Sequence, residues 1–475
     1  MLNVNHNFKS TSCRSNTYFQ FCRKNMHLYF LLIICFISQP VSSQSWTEVG
    51  GINSLSANNG ISTLCTDNYN NVYAAGGFVN STNHYYVARW DGATWVELGG
   101  LNGLGAYNPI YSICSDDTGN IYAAGLFDNS YFNQYVAKWD GNFWSEVGGV
   151  NALAANNLIY SICMDKFGNL YAAGGFENSS GNYYVAKWDG TSWSELGGVN
   201  SLAPSDGIEK ICCDTFGNVY AAGWFWNSAF HQYVAKWDGS TWSELGGFDG
   251  LAANNGILTI SSDMEGNIYA GGEFTNASGK QYVAKWDGNN WSELGGNNSL
   301  AANSWIWAIY PSINNGIYVG GNFSNMSGKT YVANWNGNNW EELCGTNSFA
   351  ETLPILSICE DRLGNAFAAG VFTNVNGNAY VAECNNSTIN IPETNNTDIK
   401  VFPNPFSASI TFESRQKANQ LEAKIENVFG QIVFNKSETN TSSTSTIDLS
   451  KLSAGIYFLN LTADGKRTTR KIIKQ

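Results

Sequence analysis

Histidine and proline are scarce in this sequence. Of its 475 residues, 4 are histidine and 8 are proline. Only His84 and His231 lie beyond the first 43 residues, which excludes metal centres that need several histidines. The motifs H-E-x-x-H, G-x-S-x-G, C-x-x-C and the P-loop are absent as well. The sequence therefore predicts no catalytic residue, no metal site, no cofactor and no enzymatic activity.

Long apolar runs are also missing, apart from one short segment near the N-terminus. Residues 28–37 are apolar, and the small residues that follow end at Ser43. This arrangement is typical of a secretory signal peptide, and the run is too short to cross a bilayer as a helix. We predict that residues 1–43 are a signal segment cleaved near Ser43, with Met26 as an alternative start. We expect no transmembrane segment in the mature chain.

Negative charge is concentrated in the middle of the chain. The net charge is −13, but residues 1–43 and residues 398–475 each carry +4, so residues 44–397 carry −21. A body this acidic repels phosphate groups, which excludes nucleic acid as an expected partner. We interpret the charge as a means of solubility rather than as selection of a cationic ligand.

What the sequence contains in abundance is a repeat of fixed length. The phrase YVAKWDGTSWSELGG at residues 184–198 recurs, and its second tryptophan returns every 49 residues. The seven copies of this residue are Trp46, Trp95, Trp144, Trp193, Trp242, Trp291 and Trp340. The copy that begins at Ile159 holds four short runs of strand-forming residues, separated by polar loops and by the tight turns D-x-x-G-N and W-D-G-x-x-W, and D-x-x-G-N recurs in five copies. Four antiparallel strands per unit indicate the blade of a propeller.

The two ends of the repeat region complement each other. The region opens with a fourth strand at residues 46–49 and stops after a third strand at residues 380–383. The first of these strands can complete the last blade and remove both open edges. We predict an all-β fold in which residues 44–388 form a seven-bladed β-propeller closed by its N-terminal strand.

The outer hairpin of each blade has two distinct faces. Trp188 and Trp193 flank a tight turn and should pair across it. Alternation places Lys187 on the opposite face from Glu195. Because adjacent blades pack face to face, ion pairs between lysines and glutamates of neighbouring blades are one expectation, and solvated charges at the rim are the other.

Most of the 11 cysteines follow the repeat. Cys65, Cys114, Cys163, Cys212 and Cys359 occupy one strand position, where a small buried side chain accounts for every copy. Cys344 replaces a repeat glycine, and Cys384 replaces a repeat tryptophan. A bridge between this pair requires an oxidising compartment and a short distance that the sequence does not give, so we expect the two thiols to stay unpaired.

The repeat resembles the blade of kelch and galactose-oxidase-type propellers. It shares with them a double glycine after the second strand, a later tyrosine and a pair of tryptophans, over residues 46–388. The resemblance implies a propeller fold, which hosts many activities. The oxidases of that group hold copper with histidine and tyrosine. His84 and His231 lie in loops of different blades, so no copper site can be placed on this chain.

A different composition begins after a polar linker at residues 389–397. The strand pattern of residues 398–475 predicts a small β-sandwich. The segment contains F-P-N-P, L-x-x-G-x-Y-x-x-x-L and a basic end, and the motif residues are Phe402, Pro403, Asn404, Pro405, Gly455 and Tyr457. Together they resemble the type A C-terminal sorting domain of the type IX secretion system of Bacteroidota. The resemblance implies contact with that secretion machinery and a final location outside the cell or on its outer surface.

Departures from the repeat are the best guide to a binding site, because repeat positions are explained by a structural role in every copy. Aromatic residues are concentrated in the variable loops of one face, where a rigid scaffold usually carries its binding residues. The candidates are Tyr107, Tyr131, Phe132, Trp224, Trp226, Phe230, His231 and Trp305. Exposed rings suit a sugar or a protein partner, and packing between long loops is the structural alternative.

Three functions fit these observations. The first is a binding or adhesion module for a glycan or another extracellular polymer. The second is a secreted hydrolase, for which Asp206, Glu209 and Glu351 are the best acids at non-repeat positions, although they are spread over different blades. The third is a purely structural surface protein. We favour the binding module, since the acids do not form an evident catalytic pair.

Overall fold

The computed structural model describes most of the chain beyond the predicted signal segment. The described residues are 45–100, 103–198, 201–345, 349, 352–385, 399–402, 406–414, 420–427, 432–439, 444–453, 455–463 and 466–474. Several predicted features lie outside these ranges, namely residues 1–43, the linker 389–397, Glu351, Pro403, Asn404 and Pro405. The side chain of Phe402 is likewise outside the described part, although its backbone is included.

Residues 45–385 form seven antiparallel sheets of four strands each, which confirms the predicted seven-bladed propeller. The blades are numbered along the chain, and the strands of each are given from the inner to the outer one. Blade 1 contains Ile61–Thr66, Val72–Gly76, Ala88–Trp90 and Trp95–Glu97, and blade 2 contains Ile110–Ser115, Ile121–Gly125, Ala137–Trp139 and Trp144–Glu146. Blade 3 contains Ile159–Met164, Leu170–Gly174, Ala186–Trp188 and Trp193–Glu195, and blade 4 contains Ile208–Cys213, Val219–Gly223, Ala235–Trp237 and Trp242–Glu244. Blade 5 contains Ile257–Ser262, Ile268–Gly272, Ala284–Trp286 and Trp291–Glu293; blade 6 contains Ile306–Pro311, Ile317–Gly321, Ala333–Trp335 and Trp340–Glu342; and blade 7 contains Ile355–Glu360, Ala366–Gly370, Ala382–Cys384 and Thr47–Glu48. A short 3-10 helix, Gly51–Asn53, follows the closing strand.

The N-terminal strand closes the ring as predicted. Thr47 pairs with Glu383 and Glu48 with Ala382, so the outer strand of blade 7 comes from the other end of the propeller. The backbone N–H of Val49 extends this pairing by donating to a carbonyl of the third strand at 2.9 Å. The inner strand of blade 7 also contacts that of blade 1, so that the seven inner strands form a closed circle. Closure therefore leaves no unpaired strand edge where the two ends of the propeller meet.

One tryptophan per blade ties each blade to the one before it. The indole Nε1 of Trp193 donates to the carbonyl of Val147 in the preceding blade at 3.0 Å. The same bond recurs from Trp46, Trp95, Trp144, Trp242, Trp291 and Trp340, at 2.9–3.3 Å. The exact spacing of this residue in the sequence therefore reflects a contact between blades, which an insertion within a blade would displace.

The D-x-x-G-N motif is a hairpin turn held by its aspartate. In blade 3, Asp165 Oδ1 accepts hydrogen bonds from the backbone N–H groups of Phe167 and Asn169 at 2.8 and 3.0 Å. Its Oδ2 accepts from the side chain of Asn169 at 2.7 Å and from the Tyr171 hydroxyl at 3.0 Å. Gly168 takes the left-handed conformation that the turn requires, with φ of 83°. The aspartate is thus used by its own hairpin.

Among the described residues, the outer hairpins form no ion pairs between blades, which were one expectation. Trp188 pairs with Trp193 as predicted. Lys187, however, lies over the ring of Tyr171 in its own blade, with Nζ 6.0 Å from the ring centre. Glu195 accepts hydrogen bonds from the side chain of Asn178, also in its own blade. Both charged groups, Lys187 and Glu195, therefore have their partners within their own blade.

Cys344 and Cys384 form a disulfide, so the expectation of two unpaired thiols was wrong. The sequence separates them by 40 residues, whereas the fold brings their Cα atoms to 6.2 Å. Cys384 ends the third strand of blade 7, and Cys344 follows the outer strand of blade 6. Both are buried next to Trp46, so the bridge supports the region where the ring closes.

Replacing both cysteines, as in Cys344→Ser/Cys384→Ser, should lower the free energy of unfolding by about 2–4 kcal/mol, because the unfolded chain regains the freedom that the bridge removes. Urea unfolding without reductant measures the change. Unfolding of the wild-type protein in reductant is the matched control and should approach the curve of the double variant. Equal stability of the oxidised wild type and the double variant would show that the bridge contributes nothing.

The C-terminal region is a small β-sandwich, as the strand pattern predicted. One sheet contains Ile399–Phe402, Ser409–Ser414 and Thr444–Asp448, and the other contains Gln420–Asn427, Ile432–Thr439, Gly455–Ala463 and Lys466–Lys474. Ile410 and Ile447 of the first sheet and Ile425 and Leu459 of the second belong to one buried cluster. Tyr457 of the predicted motif is buried with them, and its hydroxyl donates to the carbonyl of Ser453 at 2.9 Å.

Candidate ligand-binding surfaces

The antiparallel order of the strands separates two faces of the propeller. The loops between second and third strands, such as residues 175–185 of blade 3, share one face with the connections between blades, such as residues 147–158. We call this the variable-loop face. The turns D-x-x-G-N and W-D-G-x-x-W lie on the other side, which we call the tight-turn face. All eight predicted aromatic and histidine candidates belong to loops of the variable-loop face, or to their junctions with strands.

The predicted candidates differ in their local packing. Within the described part of the chain, no ring contact joins any two of the eight. Tyr107 packs edge-to-face on His84 at 4.9 Å, and Trp305 packs on Trp307 at 5.8 Å. Trp224 covers Gly256 of the following blade. The most exposed rings are Tyr107, Tyr131, Phe132 and Phe230, followed by Trp226 and Trp305.

Phe132 and Phe230 have an unusual backbone conformation. They occupy the same repeat position in blades 2 and 4, and both are left-handed, with φ of 63° and 64°. Blades 3, 5, 6 and 7 place glycine there, and blade 1 places Asn83. The phenylalanine side chains are 83% and 77% exposed. A strained backbone and an exposed apolar ring both oppose folding, which makes these two residues the strongest functional signal among the candidates.

Each of these phenylalanines lies in a loop that an asparagine holds firmly. In blade 4, Asn227 Oδ1 accepts from the backbone N–H groups of Ala229 and His231 at 3.0 and 3.2 Å. Its Nδ2 donates to Glu244 at 3.2 Å and to Asp249 at 2.8 Å. His231 Nδ1 lies 3.1 Å from the same Asp249 oxygen. Hydrogen bonds from Asn227 and then from His231 lower the pKa of Asp249. His231 therefore braces the loop.

The asparagine–glutamate pair recurs in every blade. The donor and acceptor pairs are Asn80–Glu97, Asn129–Glu146, Asn178–Glu195, Asn227–Glu244, Asn276–Glu293, Asn325–Glu342 and Asn374–Glu48. In blades 2, 3 and 4 this pair lines an open pocket at the outer edge of the blade, which we call a rim pocket. The three rim pockets have volumes of about 370, 310 and 420 Å³.

The rim pockets share one set of lining residues. In blade 3 the pocket is lined by Leu153, Asn178, Tyr184, Trp193 and Glu195. The equivalents are Leu104, Asn129, Tyr135, Trp144 and Glu146 in blade 2, and Leu202, Asn227, Tyr233, Trp242 and Glu244 in blade 4. An aromatic wall beside a carboxylate and an amide is a typical arrangement for a small polar ligand with an apolar face. In blades 2 and 4 the asparagine of the pocket begins the loop that carries Phe132 or Phe230.

Asp206 and Glu209 are two of the three acids considered for a hydrolase. Both belong to blade 4 and its entry, and both raise the pKa of Tyr160 in blade 3, after the larger effect of burial. Burial also raises the pKa of Glu209. Asp206 Oδ1 accepts from the N–H of Gly207 at 2.7 Å, so this acid shapes the entry to its own strand.

A further cleft lies between blades 5 and 6 on the tight-turn face. It has a volume of about 480 Å³, and its lining includes Tyr269, Lys285 and Ser312. The repeat is broken here, because Ser312 stands where other blades have aspartate. Glu360 of blade 7 supplies the missing carboxylate by accepting from the Ser312 hydroxyl and the N–H of Ile313, both at 2.8 Å. Burial raises the pKa of Glu360. None of the predicted ligand-binding residues lines this cleft.

The repeated cysteines face one another along the inner strands. Burial raises the pKa of the thiols of Cys65, Cys114, Cys163, Cys212 and Cys359, so they are not activated nucleophiles. Cys163 and Cys213 bring their sulfur atoms to 3.0 Å across a blade interface. Among the described residues, no group of three or more histidine, cysteine, aspartate or glutamate side chains is placed to hold a metal ion.

Comparison with known proteins identifies the C-terminal region. Residues 400–475 match the family model of the secretion system C-terminal sorting domain, which confirms the sorting-domain prediction. The chain is therefore secreted or displayed at the cell surface. In the part of the chain that the structure describes, no helix has the length and apolar character needed to cross a membrane. The sequence matches no curated protein.

Solved structures similar to this chain include an extracellular domain, a propeller lectin and a polysaccharide lyase. The extracellular domain assigned to a hybrid two-component system of B. thetaiotaomicron is 15% identical, with a TM-score of 0.51, over 91% of this chain and 59% of that chain. This chain thus spans less than two thirds of that structure. The six-bladed fungal lectin of Aleuria aurantia is 15% identical with a TM-score of 0.35, covering 61% of this chain and 95% of the lectin. A polysaccharide lyase of the ulvan lyase type is 11% identical with a TM-score of 0.40, covering 71% and 95%.

Sequence reasoning missed the rim pockets. Their residues were assigned a structural role because they recur in every copy. A signal was nevertheless available for the adjacent loops, since aligning the copies places Phe132 and Phe230 where four other copies have glycine. That alignment predicts a left-handed backbone at both phenylalanines.

Proposed function

We propose that this protein is a secreted module that binds an extracellular glycan and has no catalytic activity of its own. The observation that carries the proposal is the pair Phe132 and Phe230, two exposed rings on left-handed backbone at equivalent positions of blades 2 and 4. Each left-handed residue of this type costs about 1–2 kcal/mol relative to its normal conformation. Neither ring recovers that energy by burial, so a role in contacting a ligand accounts for them better than a role in folding.

The chemistry of these loops favours a glycan over other polymers. The apolar faces of sugar rings stack well on exposed aromatic rings, and their hydroxyls bond to amides and carboxylates. Next to Phe230 the loop offers His231, Asp249 and Asn227, which are polar and already fixed in position. The charge of −21 on residues 44–397 disfavours nucleic acid and highly sulfated or uronate-rich polysaccharides. A neutral glycan is therefore the proposed ligand.

The sorting domain is consistent with this function, because a secreted protein meets polysaccharides outside the cell. We further propose that the sorting domain is of type A, that residues 1–43 are removed near Ser43, and that the protein contacts type IX secretion machinery through residues 398–475. The likeness of the repeat to kelch blades also remains a proposal, as does a protein ligand in place of a glycan.

The double variant Phe132→Gly/Phe230→Gly tests the binding function. Glycine is the residue that four other blades use at this position, so the variant should be as stable as the wild type or up to about 1 kcal/mol more stable. Its retention on neutral insoluble polysaccharides, cellulose, chitin, xylan and mannan, should fall at least tenfold in a depletion assay with the full chain. The matched control is Asn83→Gly, which introduces glycine at the equivalent position of blade 1 and should leave binding unchanged.

The same assay separates the alternatives. Unchanged binding by the double variant would remove these phenylalanines from the site. Soluble oligosaccharides released by the wild type would favour a hydrolase, and Asp206→Asn and Glu209→Gln would then be the variants to examine. Failure to bind any polysaccharide would favour a purely structural surface protein.

A further inference from the structure

We propose that the rim pockets of blades 2, 3 and 4 are three equivalent subsites, each for a single neutral sugar residue, so that the propeller binds its glycan multivalently. This inference rests on the proposed function, because it requires a glycan ligand. It assigns a role to the repeat residues themselves rather than to departures from the repeat.

The first support is that the same pocket is built three times. Each rim pocket is lined by a tryptophan of the outer strand, by a tyrosine that lies two residues before the third strand, and by the Asn–Glu pair. Its volume of about 310–420 Å³ lies at the lower end of the range for small-molecule sites, ~300–1,000 Å³. This size suits one sugar ring with neighbouring residues of the chain extending into solvent.

The polar groups of the pocket are held in place before a ligand arrives. In blade 3, Asn178 Nδ2 donates to both carboxylate oxygens of Glu195 at 3.2 Å. In blades 2 and 4 the equivalent glutamate also accepts from the backbone N–H of Asn151 or Asp249, at 2.7 and 2.8 Å. A carboxylate has about four acceptor positions, so a remaining one can accept a sugar hydroxyl. The backbone of the loop orients Asn178, whose Oδ1 accepts from the N–H groups of Ser180 and Asn182 at 3.0 and 3.1 Å. Little freedom is then lost on binding.

The aromatic walls are equally fixed. Trp193 is bound through its indole N–H to Val147 and packs on Trp188, with ring centres 5.8 Å apart. Tyr184 packs edge-to-face on the buried Phe176 at 4.9 Å. These contacts leave a rigid apolar surface of the kind on which the carbon face of a sugar ring can stack. The negative carboxylate in each pocket disfavours acidic sugars, which leaves neutral ones as the ligand class.

Blade 7 provides an internal comparison, because its pocket is filled by the protein itself. Phe349 stands at the repeat position that is Leu104, Leu153 and Leu202 in the three blades with rim pockets. Its ring packs on Trp46 at 4.9 Å and on Phe372 at 5.2 Å, and it is buried. A phenylalanine at this position thus packs on the tryptophan that is equivalent to the aromatic wall of each rim pocket. We therefore expect a leucine-to-phenylalanine change to fill a rim pocket while the blade stays folded.

Three subsites on one rigid propeller should strongly increase its affinity for a polymer. When one subsite is occupied, the others meet the same glycan or a neighbouring chain at high local concentration. Linked binding of this kind raises the overall affinity by about 10²–10⁴-fold over that of one subsite. Weak individual pockets therefore suffice for tight attachment to a polysaccharide surface.

The test uses leucine-to-phenylalanine variants of the full chain, Leu104→Phe, Leu153→Phe and Leu202→Phe, singly and combined. Native mass spectrometry counts the ligands bound from four neutral probes: cellotriose, mannotriose, xylotriose and triacetylchitotriose. The wild type should bind three molecules of the recognised trisaccharide, each single variant two, and the triple variant none in the pockets. The apparent affinity of the triple variant for the matching polysaccharide should fall about 100-fold or more. The triple leucine-to-methionine variant, which conserves volume, is the control and should behave as the wild type.

The outcomes separate this inference from the proposed function. If the wild type binds a neutral polysaccharide through Phe132 and Phe230 while the triple phenylalanine variant keeps full affinity and stoichiometry, the rim pockets are not subsites and the proposed function stands. A stoichiometry of one in the wild type leads to the same conclusion. If no neutral glycan binds at all, both are overturned. Thermal melting of each variant confirms that a loss of binding is not a loss of fold.

Discussion

Deletion of residues 45–50 should open the propeller ring and abolish its single cooperative unfolding transition. These residues supply the outer strand of blade 7. The deletion removes the buried Trp46, whose loss alone is worth about 3–5 kcal/mol when such a side chain is truncated to alanine. It also removes the Trp46 bond to Leu343 and the Glu48 bond to Asn374. Since a native domain is stable by only ~5–15 kcal/mol, the combined loss is a large fraction of the total.

The measurement is thermal unfolding followed by far-UV circular dichroism and calorimetry. A sharp control restores the same strand from the other end of the chain, by inserting residues 45–50 after Asn385 through a turn copied from another blade. That permuted chain contains the same contacts and should recover the cooperative transition. If the deletion variant melts as the wild type does, the N-terminal strand does not hold the ring closed.

Truncation of the chain after Thr397 should prevent nearly all secretion while leaving the propeller folded. The sorting-domain match begins at residue 400, and the removed segment has its own buried core, which contains Ile425, Tyr457 and Leu459. The propeller core is formed by other residues, in separate clusters within and between blades. Loss of the sorting domain should therefore remove the export signal, and the protein should accumulate in the periplasm of a host with type IX secretion.

Cell fractionation and surface proteolysis would measure the distribution of the truncated and full chains. Fusion of residues 398–475 to an unrelated periplasmic reporter is the complementary experiment, and the reporter should reach the outside of the cell. A truncated protein that appears at the surface as efficiently as the full chain would contradict the role of the sorting domain.

Much of the fold could be predicted because its determinants are local and repeated. The turn D-x-x-G-N contains the aspartate, asparagine and glycine that the hairpin uses, so the sequence of one copy describes the turn in all five blades that share the motif. The spacing of Trp193 and its equivalents reports the contact between blades. Closure followed from the incomplete strands at residues 46–49 and 380–383, because an open sheet edge is unfavourable. The strands of the C-terminal sandwich were likewise readable from alternation, as at Tyr457 and Leu459.

The candidate site was predicted only in part. The exposure of Phe132 and Phe230 agrees with a position on variable loops, but sequence order alone could not show how each loop is braced against Glu146 or Glu244. The predicted set contains residues of several blades, and sequence order does not give the distances between them. Distances between blades depend on the diameter of the ring and the twist of its sheets, which no single copy of the repeat specifies.

The sequence by itself determined the number of blades, their strand order and the closure of the ring, because these follow from hydrophobic period, turn chemistry and the matching of two chain ends. The tertiary structure alone decided which side chains meet across blades. It joined Cys344 to Cys384, placed Lys187 over Tyr171 instead of beside a glutamate, and left pockets open beside Leu104, Leu153 and Leu202 while Phe349 packs on Trp46 in blade 7. These outcomes depend on distances of a few ångströms between segments that are remote in sequence, and only the packed ring fixes those distances.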